Sequence, residues 1–242
     1  MTLRRLHVAD LPLGGGTVVL GEAASRHVRV LRLRAGDRVE LFDGEGRVAQ
    51  ARLDSIGDSV VCIAEGAREL ATRRARLVLV LGLPKGAKLD VCVRMATELG
   101  VDEIALLMAE RSVPRWDPRR GRAKVERLNR IAAEAATQSE RADLPTVHAP
   151  RTCDELLRAF PAPAHGVLFG ARARGALELP ENPQEVWCAV GPEGGFATHE
   201  LAAFEAAGFR AASLGPTILR VDTAVAAALS LVRDRADPLQ PR

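Results

Sequence analysis

Two glycine–proline segments hold the residues best suited to chemistry. Val190-Gly191-Pro192-Glu193-Gly194-Gly195-Phe196 lies between an apolar run of strand length and a helical pattern capped by Thr198. Glycines at the carboxyl end of a strand in an open parallel sheet let a ligand approach the backbone, so this loop suits something flat or charged. A tight strand-to-helix turn without a ligand explains it equally well. Within it Glu193 offers a hydrogen-bond acceptor or a base, and its flanking glycines favour the acceptor. Leu214-Gly215-Pro216-Thr217-Ile218-Leu219-Arg220-Val221-Asp222-Thr223-Ala224 also leaves a strand and enters a helix, with Asp222 or Thr223 as its N-cap. Two such loops together favour one pocket at adjacent strand ends over two empty turns. Neither G-x-G-x-x-G nor G-x-x-x-x-G-K-[ST] occurs, so dinucleotide and P-loop readings have no support.

Basic residues form the second group. On a helix from Arg127 to Arg141, Leu128, Ile131, Ala132 and Ala135 make one stripe, while Arg127, Arg130, Glu134, Gln138 and Arg141 make another. The polar stripe reads either as a solvated face laced with pairs such as Arg130 and Glu134 or as the wall of an RNA groove. Near the N-terminus stand Arg4, Arg5, Arg26, His27, Arg29, Arg32 and Arg34. On alternating strand positions they would present one basic face to phosphates. Dispersed charge balanced by Asp37, Glu40 and Asp43 is the competing account.

These loops need elements to hold them. Thr17 to Leu20, Arg38 to Phe42, Val48 to Leu53 and Val60 to Ala64 are strand-like, separated by Gly14-Gly15-Gly16, Gly36-Asp37, Asp43-Gly44-Glu45-Gly46 and Gly57-Asp58. That is the turn chemistry of a small all-β unit, expected as a compact barrel over residues 1–70. Glu65 to Arg76 reads as a surface linker. A second domain over 71–242 follows, in which the period changes. Leu77 to Leu83, Ile104 to Met108, Gly166 to Phe169, Val186 to Val190 and Ala211 to Leu214 read as strands. Lys88 to Leu99, closed by Gly100, Lys124 to Arg141, Thr198 to Ala207 and Thr223 to Arg235 read as helices. Such alternation makes a mostly parallel α/β sheet.

Composition narrows the classes. The 242 residues carry 34 Lys+Arg against 31 Asp+Glu, a net charge of +3 that permits nucleic-acid binding without requiring it. With no Tyr and 3% aromatics, a broad aromatic stacking surface is not expected, and recognition would run through arginine and backbone. Cys62, Cys92, Cys153 and Cys188 form no CxxC pair and no metal-ligand spacing, which predicts a reduced, metal-free protein. No signal-peptide stretch or membrane span is legible, and the chain reads as cytoplasmic.

Taken in order, these segments resemble the RsmE family of the SPOUT superfamily, the 16S rRNA uridine-N3 methyltransferases. The likeness runs through Arg26-His27-Val28-Arg29-Val30-Leu31-Arg32, Gly36-Asp37, Phe42-Asp43-Gly44-Glu45-Gly46, Leu83-Pro84-Lys85-Gly86 and Ala96-Thr97-Glu98-Leu99-Gly100-Val101. It continues through Glu110-Arg111-Ser112, Glu134-Ala135-Ala136-Thr137-Gln138-Ser139-Glu140-Arg141 and both glycine loops. The two loops alone would say only SPOUT methyltransferase; the other segments narrow the family. The resemblance implies a PUA-like β-barrel, then a SPOUT-type parallel sheet with a C-terminal trefoil knot, an exception to the rule against knots.

It also implies S-adenosylmethionine as cofactor and a homodimer acting on 16S rRNA within the 30S subunit. The cofactor would be surrounded by Leu168, Phe169 and Gly170, by Gly191, Pro192, Glu193, Gly194 and Gly195, and by Leu214, Gly215, Ile218, Leu219, Arg220, Thr223 and Ala224. Lys85 and Arg111 join Arg4, Arg5, Arg26, His27, Arg29, Arg32, Glu134, Gln138 and Arg141 as the RNA-facing set. The chain departs from the family's pattern at Thr217, where arginine is frequent, and at Asp222, where glutamate is frequent. Arg220 is the candidate to replace that arginine and to stabilise charge on the uridine; Glu193 is the second catalytic candidate. The competing functions are methylation of another RNA such as tRNA, and a non-catalytic RNA-binding adaptor.

Overall fold

The computed structural model describes residues 3–70, 74–113, 116, 118–160, 163, 165–170 and 173–237, excluding the side chains of 118–120. The chain divides into two compact units, Met1–Arg73 with Ala136–Leu144, and Arg74–Ala135 with Pro145–Arg242.

The first unit is a PUA-like mixed sheet. Its strands are β1 (Arg4–His7), β2 (Gly16–Val19), β3 (Arg38–Phe42), β4 (Arg47–Ile56), β5 (Val60–Ala64) and β6 (Arg68–Glu69), in the order β1-β3-β4-β5-β2 with β6 on β4. Hairpin pairing accounts for β3, β4 and β5, but β1 runs parallel to β3, with Leu6 opposite Leu41. The all-β expectation fails at Glu22–Val30, which is a helix, α1. Residues 27–34 alternate like a strand, yet Ala24 and Val28, four apart, are buried on the core while Val30 is 71% exposed. Burying that one helical stripe decides the conformation. Arg26, Arg29 and Arg32 therefore do not share a strand face. The expected linker is also partly structured: β6 pairs with β4, and Leu70 N–H donates to the Gly46 carbonyl at 2.8 Å.

Residues 136–144 complete this unit. Gly46 N–H donates to Ala142 O at 3.1 Å, Leu144 N–H to Gly44 O at 2.8 Å, and Ala142 packs with Phe42 and Val48. The Asp43 carboxylate accepts from Glu45 N (2.8 Å), Arg47 N (3.1 Å) and the Arg47 guanidinium. Burial pushes its pKa up, but these donors outweigh burial and hold it below the ordinary value.

The second unit is a parallel α/β domain. Its strands β7 (Arg76–Gly82), β8 (Glu103–Leu107), β9 (Thr146–Arg151), β10 (Gly166–Phe169), β11 (Glu185–Val190) and β12 (Phe209–Ala212) lie in the order β12-β10-β11-β7-β8-β9. The helices are α2 (Lys88–Glu98), α3 (Pro118–Gln138), α4 (Cys153–Ala159), α5 (Thr198–Ala206) and α6 (Val221–Ala236). Both faces of the sheet are covered, which is why β7 reads as an unbroken apolar run. Leu77, Leu79 and Leu81 join Leu128, Ala132, Val225 and Leu229 in one core. Val78 and Val80 join Leu107, Trp187, Phe204 and Phe209 in the other.

Helix α6 begins at Val221 with Arg220 as N-cap, ahead of the Asp222 or Thr223 cap expected, because Val221 is buried against the core. Likewise Ala197, not Thr198, caps α5. The four cysteines are free and buried; burial pushes Cys62 and Cys153 up to about 11 and Cys92 to about 12, which keeps these thiols protonated.

Candidate functional site

Parallel register brings three loops to one edge of the sheet. Phe169 at the end of β10 is opposite Val190 of β11 on one side and Ala212 of β12 on the other. Residues 168–170, 191–197 and 213–220 therefore leave adjacent strand ends, where open parallel sheets bind ligands. The glycines differ in what surrounds them. A Cβ at Gly170, Gly195 or Gly215 would meet nothing within 4 Å, whereas one at Gly191 would lie 3.2 Å from the Phe196 ring. Gly195 and Gly215 hold φ of +67° and +112°, a region L side chains rarely adopt. Bare backbone facing open space on three neighbouring loops is a cradle that fits a flat, polar ligand.

The 191–197 loop is held from several sides. Pro192 is buried over the end of β7, close enough that a Cβ at Gly82 would come within 2.4 Å of its Cδ. The Glu193 carboxylate accepts from Lys85 N–H at 3.2 Å and from Lys88 Nζ at 2.9 Å. Burial alone would raise the pKa of Glu193, but the Lys88 and backbone hydrogen bonds overcome it and leave it lowered. A carboxylate held in its ionised, hydrogen-bonded form is a weak base, so the geometry makes Glu193 an anchor and disfavours it as the proton acceptor. Gly194 lies against Arg111, whose Nη1 donates to the Gly194 carbonyl at 3.4 Å. Glu200, 2% exposed, accepts from Ala197 N (2.8 Å) and Glu110 N (2.9 Å), tying the start of α5 to the segment after β8.

The 213–220 loop is freer. Ser213 Oγ accepts from Gly215 N–H at 3.1 Å, forming a local turn, and residues 215–218 are exposed, Ile218 by 80%. Arg220 is exposed; its carbonyl accepts from Ala224 N–H at 2.8 Å, while its side chain makes no ion pair among the described residues. Leu219 and Ala224 are half-buried and Thr223 exposed. Asp222 Oδ1 is buried with no hydrogen-bond partner among the described residues.

Comparison with known proteins decides the family. Residues 72–233 match the RNA methyltransferase domain family, and residues 20–64 the RNA methyltransferase PUA domain. Ribosomal RNA small subunit methyltransferase E of Synechocystis sp. is 34% identical over 235 residues, covering 94% of this chain and 76% of that protein. Its Bacillus subtilis counterpart is 30% identical, covering 92% and 91%. The chain belongs to the ribosomal RNA small subunit methyltransferase E family. Among solved structures, that of the Neisseria gonorrhoeae enzyme of this name, bound to S-adenosyl methionine, superposes with a TM-score of 0.86 at 27% identity, covering 96% and 97%. A Legionella pneumophila protein in complex with the same cofactor gives 0.87 at 26% identity, over the same shares.

For a member of the methyltransferase E family, the expected RNA-facing residues divide sharply. Lys85 and Arg111 are exposed beside the glycine loop, and Glu134 and Gln138 are exposed on one face of α3. Arg4, His27 and Arg32 are exposed in the first unit; Arg26 is exposed but pairs with Glu22 at 2.7 Å, and Arg29 donates to the Gly57 and Asp58 carbonyls. Two expectations require correction. Arg5 is 8% exposed, paired with Glu40 at 2.7 Å and seated over the Phe42 ring. Arg141 has a side chain 9% exposed and engaged by Asp143. Both guanidiniums are built into the first unit, where phosphate cannot reach them without breaking those pairs. Sequence reasoning missed the buried anchor Glu200 and the Lys88 partner of Glu193. The first had a signal, a glutamate three residues after a helix cap; the second had none.

Proposed function

We propose that this chain transfers a methyl group from S-adenosylmethionine to N3 of a specific uridine of 16S rRNA in the small ribosomal subunit. The observation that carries the proposal is the cradle of bare glycine backbone on three loops at adjacent strand ends. Family membership and the relatives solved with S-adenosylmethionine support it. Gly170 and its neighbours Leu168 and Phe169, Gly191 to Gly195, and Leu214, Gly215, Ile218, Leu219 and Arg220 are the residues that would hold the cofactor. Thr223 and Ala224, at the start of α6, would close the same cradle. The cofactor supplies a methyl carbon activated by a sulfonium.

Transfer to nitrogen is an in-line displacement, so the chain's task is to position N3 behind that carbon and exclude water. N3 must also lose its proton, leaving negative charge on the pyrimidine. Arg220, exposed at the lip of the cradle, would place a permanent cation there and lower the barrier electrostatically. Glu193 keeps its loop in shape and takes no proton. The trefoil threading and the homodimer belong to the same reading. Half-exposed Ala226 and Ala227 leave a face of α6 on which a second copy can pack closely. No described helix is long and apolar enough to cross a membrane, and the cytoplasm is the compartment where the proposed substrate resides.

The test is transfer of labelled methyl from S-adenosylmethionine to unmodified 30S subunits, followed by nucleoside analysis. The proposal expects 3-methyluridine in 16S rRNA. Cofactor binding without methylated 16S rRNA would point to another RNA such as tRNA. No cofactor binding would leave an RNA-binding adaptor.

A further inference from the structure

We infer that a cavity of about 410 Å³ beside Trp116 is a nucleotide subsite, holding the base and phosphate of a residue that flanks the target in single-stranded RNA. The inference rests on the RNA methyltransferase reading and adds a binding place to it. The cavity falls within the roughly 300–1,000 Å³ range of small-molecule sites. Leu83, Pro84, Leu89 and Leu128 give it apolar walls, and Trp116 with Lys124 stand at its side.

Three observations point to RNA. Trp116 is half-buried, whereas the chain's other tryptophan, Trp187, is 2% exposed and sealed in the core. In a chain without tyrosine, this is an indole edge that a base can reach. The Lys124 ammonium lies 4.9 Å from the Trp116 ring centroid and makes no ion pair among the described residues. The other cation lining the cavity, Arg127, grips Asp90 through both Nη atoms at 2.5 and 2.6 Å, neutralising the carboxylate in the cavity's described lining.

The sequence around these residues extends the charge. Residues 121–130 carry Arg122, Lys124, Arg127 and Arg130 against Glu126 alone. Cations strung along a helix suit a polymer backbone rather than a single free phosphate. Position agrees. Leu83, Pro84, Gly86 and Ala87 line the cavity, and Lys85 and Lys88 of the same segment hold Glu193 of the glycine loop. A nucleotide bound here would therefore lie one loop away from the methyl-transfer site, the place of a flanking residue.

The experiment uses the full chain and its Trp116→Ala, Trp116→Phe, Lys124→Ala and Lys124→Arg variants. It measures methyl transfer to unmodified 30S subunits, S-adenosylmethionine affinity by calorimetry, and tryptophan fluorescence on adding a short single-stranded RNA. The alanine variants should raise KM for the subunit by roughly tenfold, the scale of one stacked base, with kcat and cofactor affinity held. Trp116→Phe and Lys124→Arg should recover most of that loss, and the RNA should quench wild-type fluorescence but not that of Trp116→Phe. A wild-type KM in both alanine variants, or no quenching, overturns the subsite while leaving methyl transfer standing. If Trp116→Ala unfolds, Lys124→Ala and the wild-type quenching decide. A wild-type chain that neither methylates nor binds RNA overturns the subsite and the methyltransferase reading together.

Discussion

The two glycine loops at the strand ends look alike as sequence and behave differently as structure. In residues 191–197 nearly every side chain is committed: Pro192 to the end of β7, Glu193 to Lys85 and Lys88, and Phe196 to the core beside Phe204. In residues 213–220 a Ser213 turn and the start of α6 hold the ends, and the middle is exposed. A charged residue in a loop is available for chemistry only if the fold leaves it uncommitted. By that measure Glu193 is bound into its loop, and exposed Arg220 is left available for the role proposed for it.

Substitutions can break this contrast at either loop. The largest effect is expected from Arg220→Ala, which should slow methyl transfer by about 10²–10³-fold, the scale of losing one electrostatic donor to developing charge, while calorimetry finds cofactor affinity nearly intact. Gly82→Ala comes next. Its Cβ would collide with Pro192, so the variant should lose about 1–3 kcal/mol of stability in urea and bind S-adenosylmethionine more weakly through a displaced loop.

Glu193→Gln should cost at most about 1 kcal/mol, because the Lys88 pair is partly exposed. Its signature lies in pH. The folded pKa of Glu193 is lowered, so its contribution is present above the unfolded carboxylate value and disappears as pH falls through the folded one. Denaturant midpoints of wild type and variant should therefore converge in acid; a gap that persists there would mean the pair does not stabilise the loop. The smallest effect belongs to Ser213→Ala, about 0.5 kcal/mol, the low end for a hydrogen bond because this one is exposed, read from the same melts.

Much of the parallel domain was legible because burial on both faces wrote it as continuous apolar runs: Gly166–Phe169 is the strand the sequence predicts, and β7 differs by a single residue at each end. Loops that follow such strands are placed as soon as the strands are. Edge and surface elements were not. β9 is an edge strand containing Pro150, which has no N–H for a ladder, and so it breaks the expected pattern. The α4 helix after it is only seven residues long, although its Thr152–Glu155 capping box was readable. In α1 the alternation of residues 27–34 imitated a strand, and only the burial of Ala24 with Val28 settles it. Site residues followed the same division. Glycines could be read as cradle, but whether an arginine faces solvent or, like Arg5 and Arg141, an internal carboxylate depends on tertiary partners that local sequence does not name.

The contrast between the loops is tested most directly by single-turnover methyl transfer to unmodified 30S subunits at saturating S-adenosylmethionine, with Arg220→Ala and Glu193→Gln measured side by side. Saturation removes differences in cofactor affinity, so the rates report the chemical step alone. The expected result is a loss of about 10²–10³-fold for Arg220→Ala and less than about tenfold for Glu193→Gln. The reverse order, with Glu193→Gln silent and Arg220→Ala active, would make Glu193 the base and contradict the assignment.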